Sequence, residues 1–195
     1  MIRKLYSLLG TLLLLLTGAI LDAYAAPTHP PAIAAAHETS LSLPDVVVRD
    51  SHDHEQRLSV LMQDRIAIVN FIFTDCTTVC PLLNATMQLL QKQLEERLGK
   101  EIILISISVD PVNDTPGKLL DHANRIGAGT NWHWLTGRPA DIGRLLKAFG
   151  IAVGGRREDH PPVILIGQPS SQRWFRWVGM PPPSVLIDTV NRFHF

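Results

Sequence analysis

Two apolar segments with a helical segment between them constrain the fold of this chain most strongly. Residues 66–73 (I-A-I-V-N-F-I-F) and 101–109 (E-I-I-L-I-S-I-S-V) carry apolar side chains for both faces of a strand, as central strands do. Between them, apolar residues recur at helical spacing: Leu83, Met87, Leu90 and Leu94. This predicts a helix that runs to about Leu98 and is ended by Gly99. A strand, a helix and a strand in this order predict a right-handed crossover and parallel pairing.

The other apolar patterns predict the rest of an α/β domain. Further strands are predicted at residues 45–49, 163–167 and 173–178. Further helices are predicted from the apolar faces of residues 119–126, 142–149 and 186–193. The two late strands form a predicted hairpin. The order of elements is that of a thioredoxin-like fold, a single domain with a central mixed sheet flanked by helices.

The N-terminus has the pattern of an export signal. Two basic residues precede residues 5–21, which hold no charged side chain, and Ala23 and Ala25 have the spacing of a cleavage site. This predicts residues 1–25 as a cleaved signal peptide or an N-terminal membrane anchor, with residues 5–21 as the membrane tether. In either case we expect the rest of the chain in the periplasm or on the outer face of the inner membrane.

Composition and charge narrow the class of protein. Residues 26–40 are rich in proline, alanine and polar residues, which predicts a linker, and residues 41–195 are long enough for one domain with its own core. Removing residues 1–25 takes away two of the 18 basic and one of the 18 acidic residues. The formal net charge is then about −1, which argues against general nucleic-acid affinity. We therefore expect no nucleic acid among the partners.

The only two cysteines of the chain, Cys76 and Cys80, follow the first apolar segment. Cys76 ends the predicted strand, and Pro81, which a helix tolerates only in its opening turn, places Cys80 in the first turn of the predicted helix. Free N–H groups and the positive end of the helix dipole favour thiolates there. The pair can form a structural disulfide, act as a redox-active dithiol or chelate a soft metal, and two sulfurs alone do not decide between these uses.

Three motifs follow one another along the chain. They are F-I-F-T-D-C-T-T-V-C-P at 71–81, S-V-D-P-V-N-D-T-P at 108–116 and D-H at 159–160. Together they resemble the SCO/SenC family of copper-binding, thioredoxin-like assembly factors. The resemblance implies that Cys76, Cys80 and His160 bind a single copper ion, with thiolates suited to Cu(I) and imidazole to Cu(I) and Cu(II). The chain departs from the family's more usual D-H-S, since Pro161 and Pro162 follow the histidine.

Asp110 and Asp114 belong to the second motif and follow the second buried strand, at the edge where open α/β folds build their sites. Asp114 is suited to be the N-cap of the helix that contains Leu119, with Pro116 in its first turn. Asp110 lies nearer the predicted copper site, where it can hydrogen-bond a ligand or orient the loop. Both aspartates are therefore candidates for residues that support the copper ligands.

The resemblance implies a copper chaperone rather than an enzyme, which delivers copper during assembly of a respiratory haem–copper (cytochrome c) oxidase. Its partners would be a copper-accepting oxidase subunit and a thiol reductant. The reductant is needed because an oxidising compartment favours a Cys76–Cys80 disulfide, which must open before copper binds. The alternative is an exported thiol–disulfide oxidoreductase that acts on cysteines of the copper-accepting partner.

Overall fold

The computed structural model describes residues 36–78, 80–151 and 161–193, and within them eight strands form one mixed sheet. The strands are β1 (His37–Ser40), β2 (Val47–Asp50), β3 (Glu55–Arg57), β4 (Ile66–Ile72), β5 (Ile102–Ser108), β6 (Trp132–Thr136), β7 (Val163–Gln168) and β8 (Arg173–Val178). They lie side by side in the order β1-β8-β7-β4-β5-β6-β2-β3. The two apolar segments of the sequence, β4 and β5, thus occupy the middle of the sheet.

Helices cover both faces of this sheet. In the described part of the chain they are α1 (Leu58–Met62), α2 (Cys80–Gln93), α3 (Pro116–Arg125), α4 (Pro139–Ala148) and α5 (Pro183–Val190). α2, α3 and α5 pack on the face that includes Ile68, and α1 and α4 pack on the face that includes Val69. Successive strand residues point to opposite faces, so β4 needs apolar side chains for both, and its one polar residue, Asn70, accepts a hydrogen bond from Ser106 Oγ at 2.6 Å. The predicted α/β fold, with a central sheet between helices, is confirmed.

The pairing of the strands brings several chain segments to one edge of the sheet. β4 and β5 are parallel, as predicted, with Ile66 opposite Ile102 and Ile72 opposite Ser108. β7 is antiparallel to β4, and β8 is antiparallel to β7, which confirms the predicted hairpin. One edge of the sheet, the one at the carboxyl ends of β4 and β5, therefore also includes the end of β8 and the start of β7. Both cysteines and the loop after β5 belong to this edge.

Helix α2 is shorter than its apolar pattern predicts. It ends at Gln93 rather than near Leu98, and turns follow. Gly99 has a positive φ of 79°, a conformation that favours glycine, and it reverses the chain into β5. Because of this reversal Leu98 forms a β-bridge with Ile102, and the last apolar residues of the pattern pack in turns instead of a regular helix.

The N-terminal predictions fall largely outside the described residues. Residues 1–35, which include the predicted signal peptide or anchor and most of the predicted linker, are not described. The last part of the predicted linker, residues 37–40, forms the edge strand β1 and pairs with β8. Glu38 on this strand accepts a hydrogen bond from Arg173 Nε at 2.7 Å. Among the helices that the structure does describe, none has the length and apolar character to cross a membrane.

Candidate metal centre

The two cysteines lie at the transition from β4 to α2. β4 ends at Ile72, and a tight turn follows in which the N–H of Cys76 donates to the carbonyl of Phe73 at 3.2 Å. Cys80 is the first residue of α2 and Pro81 is the second. The first residues of a helix have no intrahelical acceptor for their N–H groups, so a proline costs nothing at this position. The helix therefore begins where Pro81 indicates.

A disulfide joins Cys76 to Cys80, whose Cα atoms are 5.8 Å apart. The N–H of Cys80 also donates to Cys76 Sγ at 3.4 Å. This donor belongs to the first turn of α2, where N–H groups are free and the helix dipole is positive. The position therefore favours negative charge on Cys76 Sγ once the disulfide is opened.

The two sulfurs differ in accessibility. Cys80 is fully buried, whereas Cys76 is 8% exposed. Both cysteines pack against Phe73, and Val109, just after β5, packs against the same cluster. Both cysteines are thus buried in an apolar surrounding, and only Cys76 retains some exposed surface.

Asp114 connects the turn before Cys76 to the end of β5. Its Oδ1 accepts from the N–H of Thr74 at 3.1 Å and from the Thr74 hydroxyl at 2.6 Å. Its Oδ2 accepts from the hydroxyl of Ser108 at 2.5 Å. Asp114 is 2% exposed, so these three hydrogen bonds replace water around a buried carboxylate. The carboxylate thus fixes the turn that leads into Cys76.

The helix cap predicted at Asp114 is wrong. Pro116 is the first residue of α3, so the preceding residue, Thr115, takes the N-cap position. Thr115 Oγ1 accepts from the N–H of Lys118 at 3.4 Å. Asp114 lies one residue too early to cap the helix, and its side chain turns inward to Thr74 instead.

Asp110 orders the loop between β5 and α3. Its two carboxylate oxygens accept from the side-chain amide of Asn113, each at 2.9 Å. Its N–H donates to Ser108 Oγ at 3.0 Å, and Ser108 is the residue whose hydroxyl also binds Asp114. Both aspartates of the motif therefore belong to one hydrogen-bonded loop beside the cysteine turn. A hydrogen bond from a ligand of the copper site to Asp110 stays a prediction.

Two buried polar residues beside the cysteines were not identified from the sequence. Asn84 lies one turn into α2, and its Nδ2 is 3.0 Å from Nε2 of His122 on α3. Burial and the charge of Arg125 lower the pKa of His122, while a hydrogen bond with the backbone of Thr74 and the charge of Asp114 oppose this shift. The signal available in the sequence was the presence of polar residues on the buried sides of two helices, where apolar residues are usual.

The third predicted ligand, His160, lies outside the described residues. The described chain resumes at Pro161 and enters β7 at the same edge of the sheet as Cys76. The N–H of Gly179, just after β8, donates to the carbonyl of Pro162 at 2.9 Å. Among the described residues, no peptide bond is cis. Within the described segments, no group of three or more His, Cys, Asp and Glu side chains could hold a metal ion. The ligand role of His160 stays a prediction.

Comparison with known proteins places these motifs in a family. The sequence model of the SCO1/SenC family matches residues 50–166, which is more than half of the 195 residues. The SCO1 protein homolog of Bacillus subtilis (strain 168) is 40% identical over 77 residues, which are 39% of this chain and 39% of that relative. The match therefore spans less than half the length of that curated relative.

Solved structures of Sco proteins share the fold. BsSco is described as a member of the Sco family of cytochrome c oxidase assembly proteins with a disulfide switch. It is 26% identical with a TM-score of 0.67, over 81% of this chain and 96% of BsSco. Arabidopsis thaliana ScoI with copper bound is 19% identical with a TM-score of 0.62, over 82% of this chain and 96% of ScoI. These likenesses confirm the thioredoxin-like architecture.

Proposed function

The chain belongs to the SCO1/SenC family, and on this premise we propose that it is a copper chaperone that delivers one copper ion during assembly of a respiratory haem–copper (cytochrome c) oxidase. The ion would bind to Cys76 and Cys80 as thiolates and to His160 as an imidazole. The observation that carries the proposal is the pairing of the two cysteines at the start of α2, with Cα atoms 5.8 Å apart. Copper bound to the related fold of Arabidopsis thaliana ScoI supports it.

The donor set suits copper that must be passed on. Two thiolates are soft ligands that prefer Cu(I), and an imidazole would let the same site hold Cu(II). Three protein ligands leave the ion accessible to a copper-accepting oxidase subunit. Of the two cysteines, Cys76 retains some exposed surface, at 8%, and would be the one nearer to that partner.

The two aspartates would support the ligands without touching the ion. Asp114 holds Thr74, two residues before Cys76, through two hydrogen bonds. Asp110 orders the loop that carries Asp114. Residues of this kind orient metal ligands, and their loss reduces metal affinity even though they donate nothing to the metal.

The disulfide defines when copper can bind. Sulfurs that are bonded to each other offer no thiolate, so we propose that a thiol reductant opens the Cys76–Cys80 bond first. Two electrons and two protons from the reductant convert the disulfide into two thiols, and copper then replaces the thiol protons. The disulfide switch identified in BsSco supports a Cys76–Cys80 bond that opens and closes.

The N-terminus would place this chemistry outside the cytoplasm. Residues 1–25 would act as a signal peptide or an anchor, with residues 5–21 in the membrane. The domain would then work in the periplasm or on the outer face of the inner membrane. Such a compartment is oxidising, which accounts for the need for a reductant.

A second candidate function is thiol–disulfide exchange with the copper-accepting partner. The observation that favours it is that Cys76, unlike Cys80, retains some exposed surface. A partner thiolate would attack Cys76 Sγ and form a mixed disulfide, and Cys80 would leave as a thiolate. A second partner thiolate would then attack the mixed disulfide, so that the partner becomes oxidised and both cysteines of this chain become reduced. The reverse sequence would reduce the partner.

A His160→Ala variant separates the two functions. Exchange needs only the cysteines, so its rate with a small dithiol should be unchanged in this variant, whereas tight copper binding should be lost. The matched control is His54→Ala, which removes an exposed histidine in the loop between β2 and β3. Copper binding that survives His160→Ala as fully as it survives His54→Ala would rule out the proposed ligand set.

A further inference from the structure

A buried histidine contacts both segments that carry the cysteines. His122 lies on α3 and is 8% exposed. The backbone of Thr74, in the turn that leads into Cys76, lies within reach of its ring and opposes the lowering of its pKa. Its Nε2 lies 3.0 Å from the side-chain amide of Asn84, which follows Cys80 by one helical turn on α2. The proposed copper chemistry does not use this ring.

The ring is held on its remaining sides as well. It packs against the indole of Trp134 on β6, with ring centroids 5.3 Å apart. Nη2 of Arg125, on the same helix, lies 3.3 Å from Nδ1. A side chain that is packed and hydrogen-bonded on every side has little freedom to move, so His122 fixes its neighbours relative to one another.

One assignment of protons satisfies all of these contacts. A guanidinium group only donates, so Nδ1 of His122 accepts from Arg125 and the neutral ring carries its proton on Nε2. That proton faces the amide of Asn84. The amide oxygen of Asn84 has no hydrogen-bond partner among the described residues, and turning the amide by 180° brings this oxygen to the Nε2 proton. In this arrangement His122 donates to the helix that carries Cys80 and lies beside the backbone of Thr74 in the turn before Cys76.

We propose that His122 is a positioning residue that holds the turn before Cys76 against the helix that carries Cys80, and thereby sets the equilibrium between disulfide and dithiol. The ring lies between the two segments, with Asn84 of α2 and the backbone of Thr74 as its neighbours. Without these contacts the two thiols would spend less time close to each other, and a lower effective concentration of one thiol at the other favours the reduced form. The inference rests on the proposed function, because the dithiol is the copper-binding form.

The test is the equilibrium between the metal-free full-length protein and dithiothreitol. In this reaction the Cys76–Cys80 disulfide is reduced to two thiols, and dithiothreitol is oxidised to its cyclic disulfide. His122→Leu removes the hydrogen bonds and keeps an apolar side chain in the space. The matched control is His133→Leu on β6. Burial lowers the pKa of His133 as well, but the charged groups that act on it are Arg65 and Asp50, which lie outside the segments that carry the cysteines.

We expect His122→Leu to raise the equilibrium constant for reduction by about fivefold, within the range of couplings between packed residues, and His133→Leu to change it by less than about twofold. An unchanged constant in His122→Leu, or an equal rise in both variants, overturns the proposal. A purely structural role for His122 would lower the Tm of the variant without moving this constant.

Two milder variants keep the test decisive if His122→Leu does not fold. His122→Phe, which keeps an aromatic ring but has no hydrogen-bonding nitrogen, and Asn84→Ala each break the contact between α3 and α2 from one side, so each should favour reduction. Because both act through one contact, the double variant should shift the constant by less than the product of the single shifts. Independent, multiplicative shifts overturn the proposal. All samples are metal-free, so the result does not depend on whether the wild type binds copper. An unchanged equilibrium constant in the variants would likewise not contradict the proposed copper binding.

Discussion

The hydroxyl of Thr74 donates to Asp114 Oδ1 at 2.6 Å, and this bond joins the turn before Cys76 to the loop after β5. Asp114→Ala leaves Thr74 and Ser108 without the buried acceptor that their three donor groups share. We expect the free energy of unfolding to fall by about 3 kcal/mol, since each unsatisfied buried donor costs about 1 kcal/mol or more. Urea denaturation with the disulfide intact measures this loss.

Asp121→Ala is the control for that prediction. Asp121 is an exposed residue of α3, and its replacement should change the free energy of unfolding by less than about 0.5 kcal/mol. Equal stability of Asp114→Ala and Asp121→Ala would mean that the hydrogen bonds of Asp114 do not hold the turn.

The reduced protein should react with alkylating reagents at Cys76 before Cys80. Cys76 is 8% exposed and accepts a hydrogen bond from a helix N-terminal N–H, whereas Cys80 is fully buried. Brief treatment with iodoacetamide, followed by peptide mass spectrometry, should find the label on Cys76 in at least about tenfold excess. In denaturant the two cysteines should react alike. Preferential labelling of Cys80 in the folded protein would contradict the assignment of Cys76 as the accessible sulfur.

The stability of the protein should decline below about pH 6.5. Burial lowers the pKa of both His122 and His133 from the ordinary value of 6.5, with smaller contributions in the same direction from Arg125 and Arg65. As the pH falls through 6.5, the unfolded chain binds protons on these rings while the folded chain does not. The unfolded state then binds more protons, so the free energy of unfolding decreases. At higher pH the rings are neutral in both states, so they do not change the free energy of unfolding.

Thermal unfolding between about pH 5 and pH 8 checks this dependence. The wild-type Tm should be level in the upper part of the range and fall in the lower part. A variant with both His122→Gln and His133→Gln should have a lower Tm near neutral pH but a shallower decline in acid. A decline as steep as that of the wild type would show that other groups cause it.

Gly167 has no room for a side chain. A Cβ at this position on β7 would lie 2.2 Å from the indole of Trp174 on β8, and this indole is fully buried and packs edge-on against Phe149. Gly167→Ala should therefore lower the free energy of unfolding by about 2–3 kcal/mol, as overpacking does. Gly117→Ala is the control, because a Cβ at Gly117 meets no atom within 4 Å. The control should be neutral or raise stability by up to about 1 kcal/mol. Equal effects in urea denaturation would contradict the packing argument.

The parts of the fold that were predictable are those that local sequence determines. The runs that became β4 and β5 are apolar on both faces, which indicates central strands whatever else the chain does. Pro81 fixes the start of α2, and this places Cys80 in the first turn of the helix and Cys76 before it. Pro116 is equally informative, because a proline at the first helical position makes Thr115 the N-cap, whereas the cap at Asp114 requires Pro116 one position further into the first turn.

The parts that were not predictable depend on contacts between distant residues. Asn84 and His122 are 38 residues apart, and no periodicity in one helix indicates which polar side chain of another helix it meets. β1 is a second example, because its sequence, H-E-T-S, lacks the apolar alternation of a strand and its pairing with β8 depends on backbone hydrogen bonds. A single sequence without aligned relatives contains no record of such pairings.

The central claim is that the reduced cysteine pair binds copper, and the most direct measurement is the copper content of the full-length protein after excess metal is removed. We expect about one tightly held ion per chain in the reduced wild type, with a thiolate-to-Cu(II) absorption band when it is loaded as Cu(II). The oxidised wild type and a reduced Cys76→Ser/Cys80→Ser variant should hold none. A reduced wild type without bound copper, or a double variant that holds as much as the wild type, would contradict the account.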